Sequence, residues 1–418
     1  MNVWLIQTGE PLPTKEGVRK MRTALLVDKL LEKGHSVLWW ASAFDHATKK
    51  WIAERDKELR VKDGLVIKIL KSTGYKKNIS LRRFLNNRII AWKFKRMAPQ
   101  MPRPDIIIAS MPTHDLAYRA VRFAHKNNIP IVVDIRDEWP DEFLIFLPKI
   151  IRRIAKLFIS RDFWMSKQTM VMADSLVSMM ETLLEWGLKK AGRQRGWQDK
   201  VFYLGYQKNV DRGYIPDRIS QIRDVLKNKF VVTFVGTLGN TNNPSVLFDC
   251  ADKIKQKDVY FVIAGGGGLF ETIKARAARY SNFLILDWLN QDEMDALLRY
   301  SHLGLCPITR IRNVFPNKVF TYFAAGLPVL SAYQGDLKNL IKERQIGCYY
   351  SPNDADELSN CIKMLYNNPT LYEKMRQNVK KTFDEMFDAD KIYKEYVEHI
   401  EKICSNFYLE KPKNINKL

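Results

Sequence analysis

Short apolar runs alternate along this chain with longer stretches in which apolar residues recur every three or four positions. "NVWLIQT" reads as a first strand, "VRKMRTALLVDKLLEKG" as an amphipathic helix stopping at Gly34, and "HSVLWWAS" as a second strand. "PDIIIAS", the helical "LAYRAVRFAHKNN" and "IPIVVDI" continue the alternation. It starts again with "KFVVTFVGT", "PSVLFDCADKIKQ", "VYFVIAG", "LFETIKARAARY", "NFLILDWL", "QDEMDALLRYS" and "LGLCPI". In "FPNKVFTYFAAGLPVL" a loop leads through Asn317, a candidate N-cap, into a short helix, a stop at Gly326 and a buried strand. Strands separated by helices of this length imply parallel sheets of βαβ units. The fold class expected is therefore α/β, with two facing Rossmann-like domains and a cleft between them.

At 418 residues the chain is too long for one ordinary core. The polar stretch "KKAGRQRGWQDK" and its sequel, near 189–215, mark the boundary. We expect a first domain over 1–200, a second over 201–385, and a helix with a polar tail over 386–418 that packs back on the first. No apolar stretch is long enough for a spanning helix, and the opening residues read as a strand rather than a signal peptide. Five cysteines without CxxC or Cys/His spacing point to reduced thiols in a cytosolic setting and away from structural zinc; the six histidines are scattered and suggest no metal.

A formal net charge of +22 calls for an anionic partner. Between Lys76 and Arg103 stand nine basic residues and no acidic one, interleaved with Phe84, Leu85, Ile89, Ile90, Trp92 and Phe94. In "LPKIIRRIAKLFISRDFWM", Ile150, Ile151, Ile154, Leu157 and Phe158 share one helical face, and Arg152, Arg153 and Lys156 another. Basic helices over 79–101 and 147–166 suit an anionic membrane surface. The competing reading makes their apolar faces ordinary core. No nucleic-acid motif is visible, and none is expected as a partner.

Ligands of open parallel sheets collect at the carboxyl ends of strands. In the second half, four such loops qualify. They offer Gly236, Thr237, Gly239 and Asn240; Gly265 and Gly266 of "IAGGGG"; Trp288 and Leu289, where a base can stack; and Arg310, Arg312, Asn313, Pro316, Asn317, Lys318 and Thr321. Glycines after strands are often only tight turns, but four loops in order describe a nucleotide-diphosphate cradle. In the first half, Gly9, Gly17, Arg19 and Arg22 mark a loop for an acceptor. "DIRDEWPDEF" gathers Asp134, Arg136, Asp137, Glu138, Asp141 and Glu142. That cluster is either a hydroxyl-binding, general-base site or a self-neutralised Asp–Arg loop.

The ordered motifs "GEPLP", "GVRKMRTALLVDKLLEKGHSVLWWASAFDH", "VVDIRDEWP", "GTLGNTNNPSVLFDCA" and "PNKVFTYFAAGLPVL" resemble retaining glycosyltransferases of the GT-B fold, family 4. Among these they look like the fucosamine-transferase type of capsule and O-antigen enzymes, over residues 1–385. The resemblance places the family's glycine loop on Gly236 to Gly239. That loop often carries an Arg and a Lys; "TLGNTNN" has neither, so Lys318, Arg310 and Arg312 would serve the diphosphate. The family's paired glutamates fall on Asn313, toward the donor sugar, and Thr321, toward the ribose. Its cleft histidine falls on Arg136, followed by Asp137.

The resemblance implies transfer with retention from a nucleotide-sugar, UDP-linked by expectation, to a polyprenyl-diphosphate-linked saccharide. Asp134, Arg136, Asp137 and Lys318 are the candidates nearest the chemistry. No metal and no cofactor are expected. The place of work is the cytoplasm, peripherally attached to the inner face of the membrane. A nucleotide-sugar epimerase on the same fold and a binding protein that has lost turnover are the alternatives.

Overall fold

The computed structural model describes residues 1–14, 20–46, 48–78, 80–145, 147–207, 214–310 and 314–410. Gly17, Arg19, Arg312 and Asn313 lie outside the described residues. Two compact units emerge, Met1–Tyr203 together with the chain from Asp390 onward, and Leu204–Ala389.

The first unit is built on eight strands: β1 (Asn2–Ile6), β2 (Ser36–Ser42), β3 (Lys57–Lys62), β4 (Leu65–Leu70), β5 (Ile106–Met111), β6 (Ile131–Ile135), β7 (Ser175–Ser178) and β8 (Lys200–Val201). Their order is β3-β4-β2-β1-β5-β6-β7-β8, and every pairing is parallel except β3 with β4. Leu5 of the central β1 sits opposite Trp39 on one side and Ile108 on the other. A strand flanked on both edges and covered on both faces needs apolar residues throughout, which is why "VWLI" is buried end to end. Trp4 stacks on Phe123, and with Trp40 and Phe94 forms the aromatic centre of this core. The β3–β4 hairpin turns at Asp63-Gly64, with Gly64 at φ +76°.

The helix Ala389–Glu410 contributes to this unit: Tyr396 stacks on Phe202 with ring centroids 4.4 Å apart, and Glu401 meets His35 at 2.8 Å.

The basic segments behave differently from one another. In the helix Leu81–Met97, Ile90, Ala91 and Phe94 are buried core, while Leu81, Leu85 and Trp92 are exposed. The expected helix over 147–166 is two, Lys149–Phe158 and Ser160–Val171, broken at Ile159. On the first of these the apolar face is open: Ile150 is 87% exposed, Leu157 76% and Phe158 85%. The reading that makes this face core does not hold. Among the described residues no helix is long and apolar enough to cross a membrane.

The second unit carries β9 (Phe230–Val235), β10 (Val259–Ala264), β11 (Phe283–Leu286), β12 (Leu303–Cys306), β13 (Val329–Ser331) and β14 (Gly347–Tyr349). The order β11-β10-β9-β12-β13-β14 is parallel throughout. The chain reverses direction of strand addition between β9 and β12, the topological position at which open sheets hold ligands.

Candidate functional site

The loops leaving β9 and β10 lie backbone against backbone. Gly236 has φ +131° and Gly265 φ +146°, and a side-chain carbon at Gly265 would collide with the carbonyl oxygen of Gly236. Leu238 N donates to Gly266 O at 2.9 Å, so the two loops are also tied by hydrogen bond. Gly266 in turn meets the indole of Trp288, which is 59% exposed on the loop after β11. Arg218 secures that loop by donating to the Trp288 carbonyl at 3.0 Å and pairing with Asp287. Thr309, just beyond β12, donates through Oγ1 to Asn240 O at 2.6 Å and brings exposed Arg310 beside the first loop.

Lys318 opens the helix Lys318–Ala324. The ammonium nitrogen is buried and has no hydrogen-bond partner, although the residue keeps some exposed surface. It lies over the Phe234 ring, 3.8 Å from its centroid, and 3.6 Å from where a side-chain carbon at Gly236 would stand. Burial pushes its pKa down to about 8, with the Cys306 thiol opposing. A cation desolvated and unpaired at a glycine turn is costly unless an anion completes it. Asn317 occupies the N-cap position but its side chain makes no capping bond, so this part of the expectation fails. The helix has only seven residues, and the positive charge at this point is the lysine's. Gly326 does end it, at φ +71°. Pro316 and Thr321 are buried, Leu289 is half-buried, and Thr237, Asn240 and Asn317 are exposed.

In the first unit the acidic loop resolves as an ion network. Asp134 is fully buried. Arg22 reaches both its oxygens, Nε to Oδ2 and Nη2 to Oδ1 at 2.9 Å each, and Arg136 Nε adds a third bond at 2.9 Å. Arg136 also pairs with Glu10 and donates to Thr23 Oγ1 at 3.0 Å. Burial alone would raise the Asp134 carboxyl, but Arg22 and Arg136 hold it below the usual carboxylate range. Asp134 is thus a self-neutralised anchor rather than a base with a lone pair to spare.

Arg22, expected to meet an acceptor, is 1% exposed and committed to Asp134 and the Phe202 carbonyl. Its distance along the chain from Asp134 hid the pair from sequence reading. Asp137 is half-buried and accepts from Glu138 N at 2.9 Å; Gly9 is exposed, its N–H donating to Gln7 Oε1.

Sequence reading also missed a buried trio. His114, Asp115 and Asp162 bring one ligand atom each within 4.8 Å of one another. Arg88 stands 3.9 Å from Asp115 and 3.8 Å from Asp162, and supplies positive charge there. Asp115 Oδ2 is buried there without a hydrogen-bond partner.

Comparisons with known proteins agree with this architecture. Residues 217–382, inside the second unit, match the family model for glycosyl transferases group 1. Over 205 residues the chain is 25% identical to the O-antigen chain mannosyltransferase C of Escherichia coli, covering 48% of this chain and 54% of that protein. The chain thus aligns with about half the length of that relative.

Among solved structures it is similar to HepE from Anabaena in complex with UDP, with a TM-score of 0.65 and 17% identity over 96% of this chain and 99% of that one. It is similar also to sucrose-phosphate synthase from Thermosynechococcus elongatus, with a TM-score of 0.71 and 12% identity over 97% and 99%. The fold is that of the GT-B glycosyltransferases, two Rossmann-like domains with parallel sheets.

Proposed function

We propose that this chain is a retaining glycosyltransferase of family 4 type. It takes a sugar from a UDP-linked donor and passes it to a polyprenyl-diphosphate-linked saccharide in surface-polysaccharide synthesis. The observation that carries the reading is the unpartnered ammonium of Lys318 against Gly236, beside the interlocked glycine loops and Trp288. The loops of Gly236 and Gly265 let a diphosphate approach backbone without a side chain intervening, and Lys318 supplies charge where the leaving group becomes more negative. Trp288 offers its exposed ring to the base, and Arg310 stands at the edge of the first loop.

Neighbouring proteins support the choice of donor and pathway: HepE was solved with UDP, and the Escherichia coli relative is an O-antigen mannosyltransferase. Positive charge from Lys318 and Arg310 takes the place a metal would have at the diphosphate, so EDTA leaves the reaction unaffected. The open basic helix Lys149–Phe158 supports peripheral attachment to an anionic membrane at its cytoplasmic face.

The test is thermal-shift titration of the purified chain against UDP, GDP, CDP, ADP and dTDP, with and without EDTA. A ligand that binds only the folded state raises its melting temperature. UDP should give the largest shift, insensitive to EDTA and absent in Lys318→Met. Silence from all five nucleotides, or an equal UDP shift in that variant, would remove the ground for the reading.

A further inference from the structure

The carboxyl ends of β2 and β4 in the first unit carry a second cationic site. Lys49 follows β2, and Arg83 lies in the first turn of the helix Leu81–Met97, which follows β4. Both lie over the ring of buried Tyr75, Lys49 Nζ 4.9 Å and the Arg83 guanidinium 5.7 Å from its centroid. Arg83 also lies 5.0 Å from the Trp139 ring centroid.

Among the described residues neither cation has a carboxylate within ion-pair distance. Their acceptors are neutral: Lys49 donates to the carbonyl of His46 and to Asn78 Oδ1, and Arg83 Nη1 to the Asn78 carbonyl at 2.8 Å. Arg83 Nε and Nη2 have no protein acceptor among the described residues. Asp45, on the same loop, offsets part of the charge, yet burial and then Arg83 still hold the Lys49 ammonium below its ordinary range. His46 lies in the same field. Its Nδ1 lies 2.6 Å from the Tyr75 hydroxyl, and burial followed by Lys49 and Arg83 pushes its pKa down to about 4.

Two like charges drawn to one aromatic ring and to one residue, Asn78, with neutral acceptors alone, repel each other and lose solvation. An anion between them reverses both costs. A phosphate fits best, because a guanidinium offers planar paired donors and an ammonium a point charge. The exposed Lys76 and Lys77 on the adjoining loop add to the same field.

We propose that the first unit binds a phosphate-bearing group of its acceptor at Lys49 and Arg83, with Tyr75 and Trp139 as its aromatic wall. The identity of that ligand as an acceptor rests on the glycosyltransferase reading; the anion site itself does not.

Calorimetric titration of the full chain with farnesyl diphosphate and with inorganic pyrophosphate, each in saturating UDP, tests it. Both probes should bind, the first more tightly if the lipid chain adds contact and equally if the phosphates alone are read. Lys49→Met and Arg83→Met should each weaken binding by about tenfold, the worth of one charge-assisted hydrogen bond. Lys49→Arg, which keeps the charge, should retain affinity and so separate a lost cation from a damaged loop. Binding that is unchanged in both Met variants, abolished by UDP, or missing in the wild type overturns the proposal. Should UDP fail to bind while pyrophosphate still depends on Lys49, the donor reading falls and the anion site stands.

Discussion

The ammonium nitrogen of Lys318 lies 3.8 Å from the centroid of the Phe234 ring, buried and without a hydrogen-bond partner. Burial depresses its pKa from 10.5 to about 8. Below pH 8 both the folded and unfolded chains carry the charge, and burial costs stability. Between pH 8 and 10.5 the unfolded chain keeps a proton that the folded one has released, so stability rises with pH. Relative to Lys318→Met, the gain across that window should approach about 3 kcal/mol. A diphosphate beside the ammonium pulls the pKa back up, so UDP should bind with proton uptake above pH 8. Calorimetry in two buffers of different ionisation enthalpy reads that proton directly; binding without uptake would detach Lys318 from the diphosphate.

Gly265 tests the cradle by geometry instead of charge. At φ +146° an L side chain is strained, and a methyl group would enter the space held by the Gly236 carbonyl. Gly265→Ala should push the two loops apart, lower stability by roughly 1–3 kcal/mol, and remove the UDP-induced shift in melting temperature. Gly239→Ala is the control, because no atom stands within 4 Å of the added carbon. That variant should keep the fold, so a loss of its UDP shift would read the approach of the ligand to this loop alone.

How far the chain could be read before folding depended on the range of each interaction. The apolar runs of β9, β10 and β12 and the glycines after the first two declare themselves within ten residues, because a buried parallel strand and a tight turn are local demands. The β3–β4 hairpin went unread because its first strand is polar and mostly exposed, although Asp63-Gly64 carried a turn signal. Arg22 and Asp134 stand 112 positions apart, a separation that no periodicity announces. His114 and Asp162, 48 apart, escaped for the same reason. Lys318 was found by residue type and position, but only packing shows that its charge is buried.

The Arg22–Asp134 pair should prove a stability element first. Removing the carboxylate leaves the buried Arg22 charge uncompensated, which costs about 3–5 kcal/mol. Asp134→Asn should therefore move the urea midpoint sharply downward, and Arg22→Met should do so less, since Arg136 still pairs with Asp134. UDP affinity of whatever fraction remains folded should be unchanged, because the pair belongs to the first unit and the donor loops to the second. Full stability in Asp134→Asn would contradict the anchor role.

The apolar face of Lys149–Phe158 is open. Ile150, Leu157 and Phe158 are so exposed that replacing all three by serine removes almost no core contact, so the melting temperature should stay within a degree or two of wild type, as surface changes do. Membrane affinity should behave otherwise. A large apolar side chain gains about 1.5–3 kcal/mol on full burial; half of that from three residues predicts a loss of roughly fifty- to two-thousandfold in binding to vesicles. Arg153 and Lys156 on the other face should make the wild type prefer phosphatidylglycerol-containing vesicles, with a preference that fades as salt rises. Cosedimentation with anionic and zwitterionic vesicles at low and high salt measures both effects. If the triple variant binds vesicles as well as the wild type does, the exposed face has another occupant. If it melts far lower, those side chains were supporting the fold after all.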